Sequence, residues 1–278
     1  MDGQLTRIGI MQGRLLPRVD GRIQAFPVER WPEEFALARS VGFGAIEFVF
    51  EGEPLRHPLL DTAGLRRIRA EIDRTGVAVD SVCADYFMEH PFHGVSASAH
   101  AASVEVLERL VRAARTVGVR IVVVPCVDAS SLRSPLDHAV LRGVLTACLP
   151  TLEACGVRLA LETDLPPKPF ADLLDGLPAA LVGVNYDMGN SASLGFGPAD
   201  EFDAYGPRIV SVHVKDRIRN GGTVPLGTGD TDFGTCFTRL HALGYAGPII
   251  IQGARGDDDV ATAARYLAFV HDQLRAGE

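Results

Sequence analysis

The chain has 278 residues, 47% hydrophobic and 22% charged, enough apolar material for a sizeable core and close to the composition of ordinary soluble domains. A net charge of −8, with 27 Lys and Arg against 35 Asp and Glu, offers no basic excess for gripping phosphates and disfavours a nucleic-acid partner. No apolar run approaches the roughly 20 residues of a membrane span, and the short run after Arg7 is too brief for a signal-peptide core, so a cytoplasmic protein with no membrane partner is expected.

In chain order, short β-branched runs alternate with Ala-, Leu- and Arg-rich stretches at helical spacing. Strands are predicted over 8–11, 45–48, 77–82, 121–125, 157–162, 181–187, 209–214 and 248–252. Helices are predicted over 32–41, 63–74, 97–117, 139–155, 170–174, 199–205, 233–243 and 260–275. Gly42, Gly76, Gly118, Gly156 and Gly244 each stand where a helix should end and an apolar strand begin, the signal of a helix C-cap. The strands are nearly continuous apolar runs, as expected of parallel strands covered on both faces. Eight βα units without a Gly-rich phosphate fingerprint after the first strand favour a closed barrel over a doubly wound sheet. The predicted fold is therefore α/β, a (β/α)₈ TIM barrel, with residues 1–278 as a single domain because no linker or composition shift divides them. The five cysteines (Cys83, Cys126, Cys148, Cys155, Cys236) are scattered and never form C-x-x-C, so buried thiols are expected rather than disulfides or a structural zinc site.

In such a barrel the chemistry sits at the C-terminal strand ends. Glu162, Asp187, His213 and Gln252 end four successive predicted strands and would face one mouth. Two carboxylates, an imidazole and an amide oxygen suit one hard or borderline divalent ion, with Mn²⁺ the first choice and Mg²⁺, Co²⁺ or Zn²⁺ as alternatives. Each residue also has a plainer reading. Asp187 alone reads equally as a helix N-cap, and His213, flanked by valines, as a core histidine. Glu162 ends an apolar run where an unpaired carboxylate is costly, which favours a function. Glu47, inside the second strand, would either hold a substrate hydroxyl, orient a ligand, or pair with a buried neighbour. The run Asp257-Asp258-Asp259 reads as the cap of the last helix rather than as a metal site.

The segments Ile46-Glu47, Leu161-Glu162-Thr163, Tyr186-Asp187-Met188-Gly189-Asn190, Val212-His213-Val214-Lys215-Asp216 and Gly227-Thr228-Gly229-Asp230-Thr231-Asp232-Phe233 together resemble the sugar phosphate isomerase/epimerase superfamily of xylose isomerase-like barrels. The opening Gly9-Ile10-Met11-Gln12-Gly13-Arg14-Leu15 resembles a subgroup of it, and the resemblance covers nearly the whole chain. It implies a metal-dependent isomerase or epimerase acting on a small sugar or sugar phosphate, with Glu162, Asp187, His213 and the residue at 252 as ligands. It also implies Glu162 as the base that removes a proton beside a metal-bound carbonyl, with Glu47 assisting. The chain departs from the epimerase pattern at Gln252, where those enzymes carry a glutamate. An amide still coordinates a metal through its oxygen but accepts no proton at neutral pH, so a symmetrical two-glutamate proton exchange is in doubt.

Arg14, Asp85, His90, Lys215, Arg219 and Arg255 lie just beyond strand ends and are the expected substrate contacts, with Arg14 the best-placed anion partner, Asp85 or His90 a second acid, and a plain solvated loop the other reading of Lys215, Arg219 and Arg255. The glycines of 227–229 read as a lid, a turn or a plain surface loop. The alternatives kept open are a sugar dehydratase or lyase of the same fold and a non-catalytic sugar-binding barrel. A homodimer is expected from the resemblance alone.

Overall fold

A computed structural model describes residues 7–277. Parallel strands β1 (Ile8–Met11), β2 (Ala45–Val49), β3 (Ser81–Cys83), β4 (Ile121–Cys126), β5 (Arg158–Thr163), β6 (Val182–Asp187), β7 (Ile209–Val214) and a last strand (Ile249–Ile251, β10) close into a barrel in the order β1-β10-β7-β6-β5-β4-β3-β2. A two-stranded antiparallel ribbon, β8 (Asp216–Arg217) with β9 (Thr223–Val224), stands outside it and accounts for the missing numbers. Helices α1 (Trp31–Val41), α2 (Thr62–Thr75), α4 (Ala97–Thr116), α5 (Pro135–Cys155), α6 (Pro167–Leu174), α8 (Pro198–Tyr205), α9 (Phe233–Ala242) and α10 (Asp259–Ala276) connect the strands; two short ones, α3 (Tyr86–Glu89) and α7 (Met188–Leu194), sit in the loops after β3 and β6.

The predicted barrel is what the structure shows, and the five glycines all adopt positive φ. Helix starts obey the same local chemistry. The side chains of Asp61, Ser96, Ser134, Asp187, Asp232 and Asp258 accept hydrogen bonds from backbone N–H groups in the first turns of their helices. The run 257–259 is thus a cap, as read from its sequence. Some boundaries and elements differ from expectation. The third strand is only Ser81–Cys83, because the segment before it touches β2 through a single bridge, Ala45 to Ala78. Helix α5 starts at Pro135, capped by Ser134, rather than at 139. Helix α7 was not expected, since Met188–Leu194 has no apolar stripe and exists because Asp187 caps it.

Side chains inside the barrel form their own cluster of Met11, Val49, Cys83, Ile121, Val123, Ala160, Val210 and Ile250, separate from the larger layer between strands and helices. The period-two alternation that points these residues inward also points Glu47, Glu162, Asn185, Asp187 and Gln252 inward, towards the C-terminal end, and the register shift at Val184/Asn185, which leaves Val210 as an extra residue on β7, brings His213 to the same face. Each fully buried aliphatic in the outer layer contributes about 1.5–3 kcal/mol. All five cysteines are free thiols. Among the described residues no helix is long and apolar enough to cross a membrane.

Candidate metal and substrate site

Register brings the central residues together. Asp187 of β6 pairs with His213 of β7, and the backbone N–H of Gln252 donates to Val214 O (2.9 Å) on the next strand. Glu162, Asp187 and His213 each offer a ligand atom, and these atoms lie within 4.8 Å of one another. His213 Nδ1 is 3.5 Å from Glu162 Oε2 and 3.9 Å from Asp187 Oδ2. Its other ring nitrogen, Nε2, lies 2.6 Å from Glu47 Oε1, and both side chains are wholly buried. Asn185 Nδ2 stands 3.1 Å from His213 Nδ1, the ring nitrogen nearest the Glu162 and Asp187 carboxylates. The side chain of Asp187 does two jobs: Oδ1 caps α7 through Asn190 N (2.8 Å), while Oδ2 faces the cluster.

Two amides that sequence reading missed hold Glu162. Asn185 Nδ2 donates to Glu162 Oε2 and Asn190 Nδ2 to Glu162 Oε1, both at 2.7 Å. Burial, with Asp187 close by, pushes the Glu162 carboxyl up to about 7. Burial pulls the His213 imidazole down, but Glu47, Glu162 and Asp187 outweigh it and raise it to about 9. An excess of carboxylate around one imidazole is a setting that a dication would neutralise. The fit to a divalent ion is supported by one further observation: Gln252 Oε1 is buried with no hydrogen-bond partner, a free oxygen donor at the strand end beside His213.

The loop from β1 to α1 folds over the mouth. Gln24 Oε1 accepts from Gln252 Nε2 (2.8 Å) and Arg14 Nη2 (3.2 Å), and Gln24 Nε2 donates to Asp85 Oδ2 (2.7 Å). Desolvation raises the Asp85 carboxyl, which also accepts from Cys83 Sγ. Glu34 of α1 anchors this loop by accepting from Gly13 N (2.9 Å) and Leu15 N (3.1 Å). Arg255 pairs with Asp259 (2.7 Å) and donates to Leu16 O.

The remaining expected contacts divide. Lys215 Nζ bonds Asp187 Oδ2 (3.2 Å) and Asn190 Oδ1 (3.1 Å), so it stands within the cluster. Arg219 does not. It lies over Gly195 beside a cavity of about 250 Å³ lined by Tyr186, Ser191, Phe196 and Cys236, and Tyr186 points outward to Glu201 of α8. His90, expected as a substrate contact or second acid, is exposed and stacks on Tyr86 (4.2 Å). The 227–231 segment is neither free nor a plain loop: the buried Asp216 carboxylate accepts from the N–H groups of Gly227, Thr228, Gly229 and Thr231.

The family model for the xylose isomerase-like TIM barrel matches residues 35–269. The chain belongs to that family. It is 27% identical over 242 residues to L-ribulose-5-phosphate 3-epimerase UlaE of Salmonella paratyphi A, covering 81% of this chain and 82% of that protein. Among solved structures it superposes on an L-ribulose 3-epimerase with a TM-score of 0.78 at 19% identity, covering 98% of this chain and 96% of the other. It also superposes on the IOLI protein with a bound zinc atom, with a TM-score of 0.75 at 16% identity and coverage of 96% and 98%.

Proposed function

We propose that this barrel is a sugar isomerase or epimerase that uses one divalent ion and removes a proton beside a carbonyl of a small ketose or ketose phosphate. The observation that carries the reading is the convergence of Glu162, Asp187 and His213, with the unpartnered Gln252 oxygen, at the mouth of a barrel whose relatives bear epimerase names. Glu162, Asp187, His213 and Gln252 would hold the ion, with Mn²⁺ the first choice. When bound, the ion supplies Lewis acidity at the substrate carbonyl.

The rest of the chemistry belongs to the chain. Glu162 takes the proton from the carbon next to the carbonyl, and a carboxyl pushed up towards neutrality is well matched to that exchange. Asn185 and Asn190 fix the direction of its two oxygens. Glu47 is wholly buried against His213. It orients His213, in the manner of the carboxylates that steer metal-bound imidazoles. Gln252 accepts no proton, so the acid on the far side of the substrate is assigned to Asp85, which burial keeps inclined to hold its proton. Lys215 balances the charge of Asp187.

The test is deuterium incorporation from solvent into a panel of ketoses and ketose phosphates, followed by NMR with and without Mn²⁺. Metal-dependent exchange at one carbon is expected, reduced by about 10²–10⁴-fold in Glu162→Gln. Ion binding without exchange would shift the reading to dehydration or cleavage. The absence of both would leave a barrel that binds sugar without turning it over.

A further inference from the structure

We propose that the Arg14 guanidinium is the anchor for a phosphate group, so that the mouth accepts a phosphorylated sugar in preference to the free sugar. The inference rests on the mouth being the sugar site and adds the substrate class.

Arg14 is 6% exposed, and a buried cation without an anion is expensive. Its guanidinium touches only neutral oxygens. Nη1 donates to Ile23 O and Nη2 to Gln24 Oε1, while Nε is buried and has no partner. Every carboxylate near it is committed elsewhere. Glu34 holds Gly13 N and Leu15 N, Asp259 holds Arg255, and Asp85 holds Gln24 Nε2 and Cys83 Sγ. Arg255 adds a second cation close enough to bring Arg14 down to about 10, after the larger effect of burial. A buried guanidinium left with a free N–H and a second cation for a neighbour is suited to receiving an anion from outside.

The position is right for a substrate as well. Strands β1 and β10 are neighbours in the barrel, so Arg14 and Arg255 enter the mouth side by side, next to Gln252. Arg14 Nη2 and Gln252 Nε2 converge on a single oxygen, Gln24 Oε1. A phosphate oxygen arriving at that point meets the same two donors, and Gln24 is on a loop whose tip, residues 20–23, is exposed. The other cations beyond β7 are not available. Lys215 and Arg217 are bound to Asn190, and Arg219 lies on Gly195 outside the mouth.

The experiment is a calorimetric titration of inorganic phosphate into the full-length protein, compared with Arg14→Gln and Glu162→Gln. Saturable binding is expected, weakened at least tenfold in Arg14→Gln and altered less than twofold in Glu162→Gln. L-ribulose 5-phosphate should displace the phosphate and L-ribulose at equal concentration should not. Undetectable phosphate binding, or binding that survives Arg14→Gln, overturns the proposal. So does binding lost in Glu162→Gln, which would put the anion on the metal, or simultaneous binding of phosphate and L-ribulose 5-phosphate, which would make it a separate anion site. Should Arg14→Gln fail to fold, the Nε–H resonance of Arg14 in the wild type serves instead: a saturable shift on adding phosphate supports the site, and an unmoved signal refutes it. Phosphate held at Arg14 with no proton exchange on any sugar would overturn the isomerisation reading and leave the anion site standing.

Discussion

Glu47 and His213 come from strands on different sides of the barrel and meet at 2.6 Å with no exposure to solvent. Such a pair sets which ring nitrogen carries the proton, and so whether Nδ1 has a lone pair to offer. Replacing Glu47 with Gln keeps the shape and a hydrogen-bonding oxygen but removes the charge. Mn²⁺ affinity measured by calorimetry should fall about 10–100-fold, the usual cost of losing such a partner. Unchanged affinity would mean that the pair is only core packing. At this scale the sequence was readable where one residue type carries the chemistry. Glu162, Asp187 and His213 stood out as polar ends of apolar strands. Asn185 was equally visible in principle, since it lies two residues before Asp187 and shares its face, and Asn190 stands three residues on in the first helical turn. Their amides carry no charge, so nothing in composition set them apart.

Among the elements, the loop from β1 to α1 is the one on which the substrate reading depends. Gly13 sits at φ 83°, and a Cβ there would come 2.5 Å from Ala25 O, the residue after Gln24. Gly13→Ala therefore combines a left-handed backbone cost with a clash against main chain that a side chain cannot relieve. We expect a loss of about 1–3 kcal/mol in urea unfolding. Sugar phosphate affinity should fall with it, because Arg14 and Gln24 move when the loop does; full affinity in a destabilised variant would show that the loop does not contribute to the mouth. The helices and most strands were legible because caps and alternation are local. Strand β3 was overextended for the opposite reason: the run from Val77 is as apolar as a strand, yet its pairing with β2 is limited to the bridge at Ala78.

For the molecule as a whole, global stability carries a pH signature from His57. Burial lowers this imidazole to about 4 from 6.5, while its Nε2 donates to Val49 O (3.0 Å) and its Nδ1 accepts from Leu59 N (3.2 Å) between the rings of Phe26 and Phe50. A group depressed in the folded state contributes stability that is present above pH 6.5 and lost as the pH falls through 4, here on the order of 3 kcal/mol. Glu34 acts in the opposite sense. Burial raises it to about 7 from 4.5, so its contribution is greatest below 4.5 and is lost as the pH rises through 7. Comparing wild type with His57→Gln removes that background. The difference in unfolding free energy should shrink from pH 7 to pH 4.5, and a difference that stays constant or grows would rule out a neutral, buried His57.

The sequence by itself determined the eight βα units, their direction, and the carboxylates and imidazole at the strand ends. These follow from periodicity and from the cost of placing charge at the end of an apolar strand, both of which are local. Only the tertiary structure decided which polar groups meet. It set Glu47 against His213, stacked His90 on Tyr86, laid Arg219 over Gly195, and placed Gln24 between Gln252, Arg14 and Asp85. Those pairings depend on barrel closure and on the path of one loop, which bring together residues up to 228 positions apart.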